Sequence, residues 1–219
     1  MKPFAHQPSP RGANSIVRTI GLSLLTLAAC AFAHGASAQQ PADVIGVHFE
    51  PAQTHIQWSL KTTLHPVHGT FDLKGGLVTI DTSTGEAQGE LIVELASGKS
   101  GDPSHKESRE RDQKMQNDVL NSTQYPEAIF HPTRVTGSLK PGSRQQVSIE
   151  GTFTIHGTDH PLIMHGTIER HAGDAKANLT FTIPYVDWGM KNPGRFPLHV
   201  ASTVDVTVDA QTTLEKPKV

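Results

Sequence analysis

Residues 145–157 read QQVSIEGTFTIHG. Val147, Ile149, Phe153 and Ile155 fall on one parity, and Ser148, Glu150, Thr152, Thr154 and His156 on the other. Successive side chains of an extended strand point to opposite faces, so this stretch has one face for a core and one for water. The pattern recurs on both sides of it. Leu162, Met164 and Ile168 share a face with Gly166, and Leu179, Phe181, Ile183 and Tyr185 alternate with Asn178, Thr180 and Thr182. Leu198, Val200, Val204, Val206 and Val208 alternate with His199, Thr203, Asp205, Thr207 and Asp209. Upstream, Ile56, Trp58 and Leu60 form one set and Leu91, Val93 and Leu95 another. Strict alternation is the signature of antiparallel strands with one solvated face. Short turn-forming runs punctuate them at 73–76 (LKGG), 81–86 (DTSTGE), 139–144 (LKPGSR) and 171–176 (HAGDAK). About eight strands joined in sequence, several near ten residues long, predict a mainly β chain closed as an up-and-down antiparallel barrel.

The amino terminus reads differently. Lys2, Arg11 and Arg18 precede an apolar run, Ile20 to Ala33, and a small-residue site at Ala36-Ser37-Ala38. Basic, apolar and small segments in that order predict an export signal over 1–38, cleaved near Ala38, with the protein periplasmic or secreted. The run Leu27-Ala28-Ala29-Cys30 carries an alternative, a lipoprotein anchored through Cys30. Removing residues 1–38 leaves 181 residues, enough for a single domain over 39–219 with its own core. It also takes three of the 19 basic residues and no acid, leaving 16 against 21 and a balance of −5. No basic patch stands out, which argues against nucleic acid and against anionic membrane surfaces. Cys30 is the single cysteine, so the domain must hold together without a disulfide.

One segment breaks the alternation. Residues 107–126, ESRERDQKMQNDVLNSTQYP, are densely charged, and Met115, Val119 and Leu120 give only a short apolar stripe. Asp102 as a cap, Pro103 at the first helical position and the Ser104–Glu107 capping-box spacing predict a helix near 103–121, ended before Pro126. Three apolar residues cannot bury a helix deeply, so it belongs at the surface with its stripe against something apolar. Arg111 and Asp112 read as a structural ion pair holding it.

In order along the chain, FEPAQTHIQWSL (49–60), VHGTF (67–71), RDQKM (111–115) with VLNSTQYPEAIF (119–130), and GTFTIHGTDHPL (151–162) resemble the motifs of the YceI-like family of bacterial exported proteins. PYVDWGMKNPG (184–194) is loosely similar to a later one. The resemblance runs from about Val47 to about Val208. It implies a lipocalin-like barrel, with the helical segment inserted between strands, enclosing a long apolar molecule of polyisoprenoid, quinone or fatty amide type. The expected lining is Trp58, Leu60, Phe71, Leu91, Val93, Ile149, Phe153, Met164, Phe181 and Val204. Met115, Val119 and Leu120 would form a lid. Tyr125, Tyr185 and Trp188, amphipathic rings near turns, either meet a headgroup at the mouth or finish the core. The sequence departs from the family pattern at Lys114, which stands where a histidine is usual, and at Val119-Leu120, which stands where an aromatic pair is usual, so the ligand-facing surface differs from that of other members.

Other functions find less support. His65 with His68 and His156 with His160 have metal-like spacings, but no cysteine or clear acidic partner joins them, and solvated surface histidines are the simpler reading. There is no G-x-S-x-G, no phosphate loop, no H-E-x-x-H and no cysteine nucleophile in the mature chain, so no enzyme and no cofactor are expected. A periplasmic interaction or stress protein with an incidental cavity is the remaining alternative. The expected partner is an apolar small molecule, with the protein a monomer or weak dimer and its protein partners unspecified.

Overall fold

The computed structural model describes residues 43–101 and 105–216. The segment expected to be an export signal, Cys30 within it, and the expected capping residues Asp102, Pro103 and Ser104 lie outside the described residues. Eight strands follow in order: β1 (Val44–Leu60), β2 (Val67–Asp81), β3 (Ala87–Ser100), β4 (Glu127–Gly137), β5 (Gln145–Ile155), β6 (Thr158–Arg170), β7 (Asp174–Ile183) and β8 (Val204–Glu215). Each pairs antiparallel with its sequence neighbours, and β1 also pairs with β8, closing the barrel. Closure removes the unpaired edges that an open sheet would expose. The helical insertion, α1 (Lys106–Lys114), continues as a π-helical turn over Met115–Val119 and joins β3 to β4.

The inward face is apolar on every strand. Ile56 and Trp58, Val78 and Ile80, Val147 and Phe153, and Leu162 and Met164 are buried, while Gln57, Thr79, Gln146 and His165 between or beside them are exposed. This is the opposite sense to a membrane-spanning barrel, whose apolar side chains face outward.

Three expected boundaries change. The turn expected at 171–176 narrows to 171–173, because β7 already begins at Asp174. Residues 73–76 are not a turn. Strand β2 runs through them, and the register with β3 slips between Leu73 and Gly75. Two side-chain-free residues, Gly75 and Gly76, suit such an irregularity and mimic a turn in sequence. Tyr185, Leu198 and Val200 belong to no strand: β7 ends at Ile183 before Pro184, and all three sit in the connection that precedes β8. Proline has no N–H for the ladder, which ends the run.

The helix begins at Lys106 with His105 as its N-cap and no side-chain cap bond. Its seat follows from the barrel register. Strands β3 and β4 pair only over Leu91–Glu94 and Glu127–Phe130, with a further bond from Leu95 N to the Pro126 carbonyl. Beyond that point the edge of β3 that would face β4 is free, and the helix takes it. Gln116 Nε2 donates to the carbonyls of Ala96 (2.9 Å) and Gly98 (3.1 Å). Asp112 Oδ1 accepts from the N–H and hydroxyl of Ser100 at 2.7 and 2.6 Å. Arg111 Nη2 donates to the Ser100 carbonyl, at 3.3 Å. Residues 96, 98 and 100 share a parity, so their backbone groups leave the same edge of the strand. Arg111 and Asp112 therefore do not close the expected ion pair with each other. Neighbours on a helix point about 100° apart, and both side chains converge on the buried Ser100 instead.

Candidate functional site

No side chain of the described core falls below 2% exposure. In a filled barrel the central residues would be sealed. Here the wall encloses a cavity of about 640 Å³. Leu60, Phe71, Leu91, Val93, Ile149, Phe181, Val204 and Val208 pack on the buried cluster yet stay half-buried, because their inner surfaces face the hollow. Phe153 meets Phe181 edge-on, with ring centroids 6.4 Å apart. Pairing of this kind stiffens the wall without filling the space it surrounds.

The two ends differ. At one end the lining residues Leu139, Arg170, Thr212 and Leu214 are buried or half-buried, which makes a floor. Arg170 Nη1 donates to the Leu139 carbonyl at 2.8 Å there. At the other end the lining includes exposed residues, Lys114 and Asp118 from the helix and Lys191, Arg195 and Leu198 from the β7–β8 connection. The cavity reaches the surface between these two segments, and this is its mouth. The connection is tied down across the rim: Thr63 N donates to the His199 carbonyl at 3.0 Å, and His199 N donates to Thr63 Oγ1 at 2.9 Å.

All ten expected lining residues lie on this wall. Of the expected mouth residues, Met115, Val119, Leu120 and Tyr185 also line it. The π-helical turn explains how Leu120 does so. Its N–H bonds to the Met115 carbonyl at 2.8 Å, and an i→i+5 turn is wider than an α turn, so Leu120 returns to the side of Met115. Tyr125 and Trp188 lie elsewhere. Tyr125 packs at 4.6 Å against His156, over Gly157, where an added Cβ would come within 2.6 Å of the ring. Trp188 stacks flat on His160 at 4.1 Å and backs Phe153 from outside the lining. Tyr185 is 5% exposed and its hydroxyl donates to the Ala201 carbonyl at 2.8 Å, so it anchors the connection. Burial pushes its phenol pKa up.

Residues 48–212 match the model of the YceI-like domain. The chain belongs to the YceI-like family. Similar solved structures include a polyisoprenoid binding domain from Saccharophagus degradans implicated in plant cell wall breakdown, at 17% identity and a TM-score of 0.57, covering 78% of this chain and 98% of that one. Another is BcnA of Burkholderia cenocepacia, at 14% identity and a TM-score of 0.57, covering 77% and 99%. At such identities the likeness speaks for the fold. No curated protein matches the chain.

The YceI-like barrel also lines its cavity with residues that alternation does not reveal. Lys191 and Arg195 sit in an irregular connection with no period to read. Arg111, Lys114, Met115, Asp118 and Val119 all line the cavity. They stand at i, i+3, i+4, i+7 and i+8, which is one helix face, but three of the five are charged, so no apolar period marks that face as the inward one. Three polar atoms of the lining residues are buried with no hydrogen-bond partner among the described residues: Thr54 Oγ1, Trp58 Nε1 and Arg170 Nε. The histidines have other neighbours. His156 and His160 go to Tyr125 and Trp188, and no group of three or more metal-ligating side chains gathers among the described residues.

Proposed function

We propose that this chain is an exported bacterial carrier or binding protein that encloses one long apolar molecule, of polyisoprenoid, quinone or fatty amide type. The observation that carries the reading is the hollow: a closed barrel with an apolar inner face has an unfilled interior of about 640 Å³ that opens at one end. Cavities of this kind, mostly apolar with a few polar groups, are what small-molecule sites look like. Binding is non-covalent. Each buried methylene contributes roughly 0.8 kcal/mol, so about ten carbons supply roughly 8 kcal/mol. Association itself costs about 4–15 kcal/mol, and short chains therefore bind poorly while long ones bind well. The polyisoprenoid named for the Saccharophagus domain supports the same ligand class for this chain. The helix, seated by hydrogen bonds on a free strand edge and carrying few apolar contacts, is the element suited to open for entry.

The test is native mass spectrometry of the protein purified from its own host, then solvent extraction and identification of any released lipid. A stoichiometric apolar molecule is expected. An empty barrel that also gains no thermal stability with polyprenols, quinones or fatty amides would move the chain to the class of interaction proteins. At 100 times its dissociation constant a ligand adds about 2.7 kcal/mol, so such a gain is easily seen. The same spectrum reads the amino terminus: a mature chain starting at Gln39 supports cleavage after Ala38, and a lipidated Cys30 supports anchoring.

A further inference from the structure

The mature chain has a net charge of −5, from 16 basic and 21 acidic residues, yet the mouth of its cavity has the opposite balance. Four cationic side chains line it, Arg111, Lys114, Lys191 and Arg195, against one acid, Asp118. Two separate segments deliver them, the helix and the β7–β8 connection. Arg111 is already engaged, donating to Ser100 and, at 3.0 Å, to Ser108 Oγ. Among the described residues Lys114, Lys191 and Arg195 have no ion pair, although the structure forms several elsewhere. A rim that only kept the barrel in solution would carry the two signs in comparable number, as the outer surface does. The rest of the wall is apolar, apart from a few hydroxyls, the Asn192 amide, the Trp58 indole N–H and the half-buried Arg170 at the floor.

We infer that the cavity takes an amphiphile with an anionic oxygen headgroup, a phosphate or a carboxylate, whose chain fills the barrel and whose head stays at the mouth against Lys114, Lys191 and Arg195. The inference rests on the carrier reading above and adds the head to the tail. Ionised donors facing ionised acceptors make stronger bonds than neutral pairs. At a mouth walled by protein they are also less screened than in open water. The arrangement fixes polarity as well: the chain enters tail first, and the headgroup is left where a receiving protein or membrane can reach it. The Arg170 guanidinium at the floor is the competing position, and it is partly committed to the Leu139 carbonyl.

The experiment compares geranylgeranyl phosphate, geranylgeraniol and the matching amine, which share one tail. Occupancy is read from Trp58, on the cavity wall, in a Trp188→Phe background. At low ionic strength the phosphate should bind at least about tenfold more tightly than the alcohol, and the amine more weakly than either, with the gap narrowing as salt is added. Lys114→Gln/Lys191→Gln/Arg195→Gln should abolish the advantage of the phosphate over the alcohol, both measured on that same variant. Inorganic phosphate alone at millimolar concentration should not displace the lipid. Equal affinities for phosphate and alcohol would overturn the headgroup inference and leave the carrier reading standing. Loss of the gap in Arg170→Gln but not in the triple variant would place the head at the floor and overturn it too. If none of the three ligands binds, the headgroup inference falls, and the carrier reading is decided by the native mass spectrum and stability tests above.

Discussion

Filling the hollow separates an unfilled wall from an ordinary core. Ile149 and Val208 lie on β5 and β8, three strands apart on the closed ring, and both are half-buried because they face the cavity. In a close-packed interior, changing both to phenylalanine would force strain costing about 1–3 kcal/mol per site. For a domain of this size roughly 2–4 °C is lost per kcal/mol, so a packed core would fall by roughly 4–24 °C. Here the added rings enter empty space. They bury apolar surface and displace no side chain, so Ile149→Phe/Val208→Phe should melt within about 4 °C of the parent. Ligand affinity should fall at least about tenfold, because the volume that received the chain is occupied. The control is Phe153→Ala. Phe153 is 6% exposed and braced by Phe181 and Trp188, so its loss should cost about 3–5 kcal/mol. That corresponds to roughly 6–20 °C. Calorimetry of the three proteins and titration with one long-chain ligand complete the comparison. If the filled variant melts as low as Phe153→Ala, the interior is a packed core and the cavity argument is wrong.

Removing the helical stripe with Met115→Ala/Val119→Ala/Leu120→Ala should raise the ligand off-rate, measured by stopped-flow displacement, more than it lowers the melting temperature; normal release with a Phe153→Ala-like melting loss would make the segment core rather than lid. Asp112→Ala should destabilise by about 1–3 kcal/mol, because it strips the buried Ser100 N–H and hydroxyl of their acceptor, and hydrogen exchange should rise first at 96–100; unchanged protection there would disprove the edge-seat account. In the β2–β3 turn, bonds from the Ser83 hydroxyl and N–H, then from Thr84 N–H, hold the Asp81 carboxyl below its usual pKa. A depressed folded pKa gives stability that is present above the ordinary aspartate value and lost as pH falls through the folded one. The melting gap between parent and Asp81→Ala should therefore be constant near neutrality and shrink below about pH 4; a gap that does not change with pH would remove the carboxylate from the turn's stability.

Sequence alone determined the fold class and the inward face. Alternation is a property of adjacent residues, so Val147, Ile149 and Phe153 declare their side before any contact is made. The turns at 81–86 and 139–144 were legible for the same local reason, as was the helix between β3 and β4. At 73–76 locality misled, since two glycines serve a bulge as well as a turn and only the ladder with β3 distinguishes them. The tertiary structure decided what depends on closure. Whether eight apolar faces fill their interior or leave 640 Å³ open depends on the size of the closed ring against the summed side-chain volume, which no single segment contains. The helix finds its seat only because β3 and β4 pair briefly and leave the edge at Ala96, Gly98 and Ser100 free. The cationic mouth exists only once residues 111–118 and 191–195, far apart and of different local structure, reach the same end of the barrel.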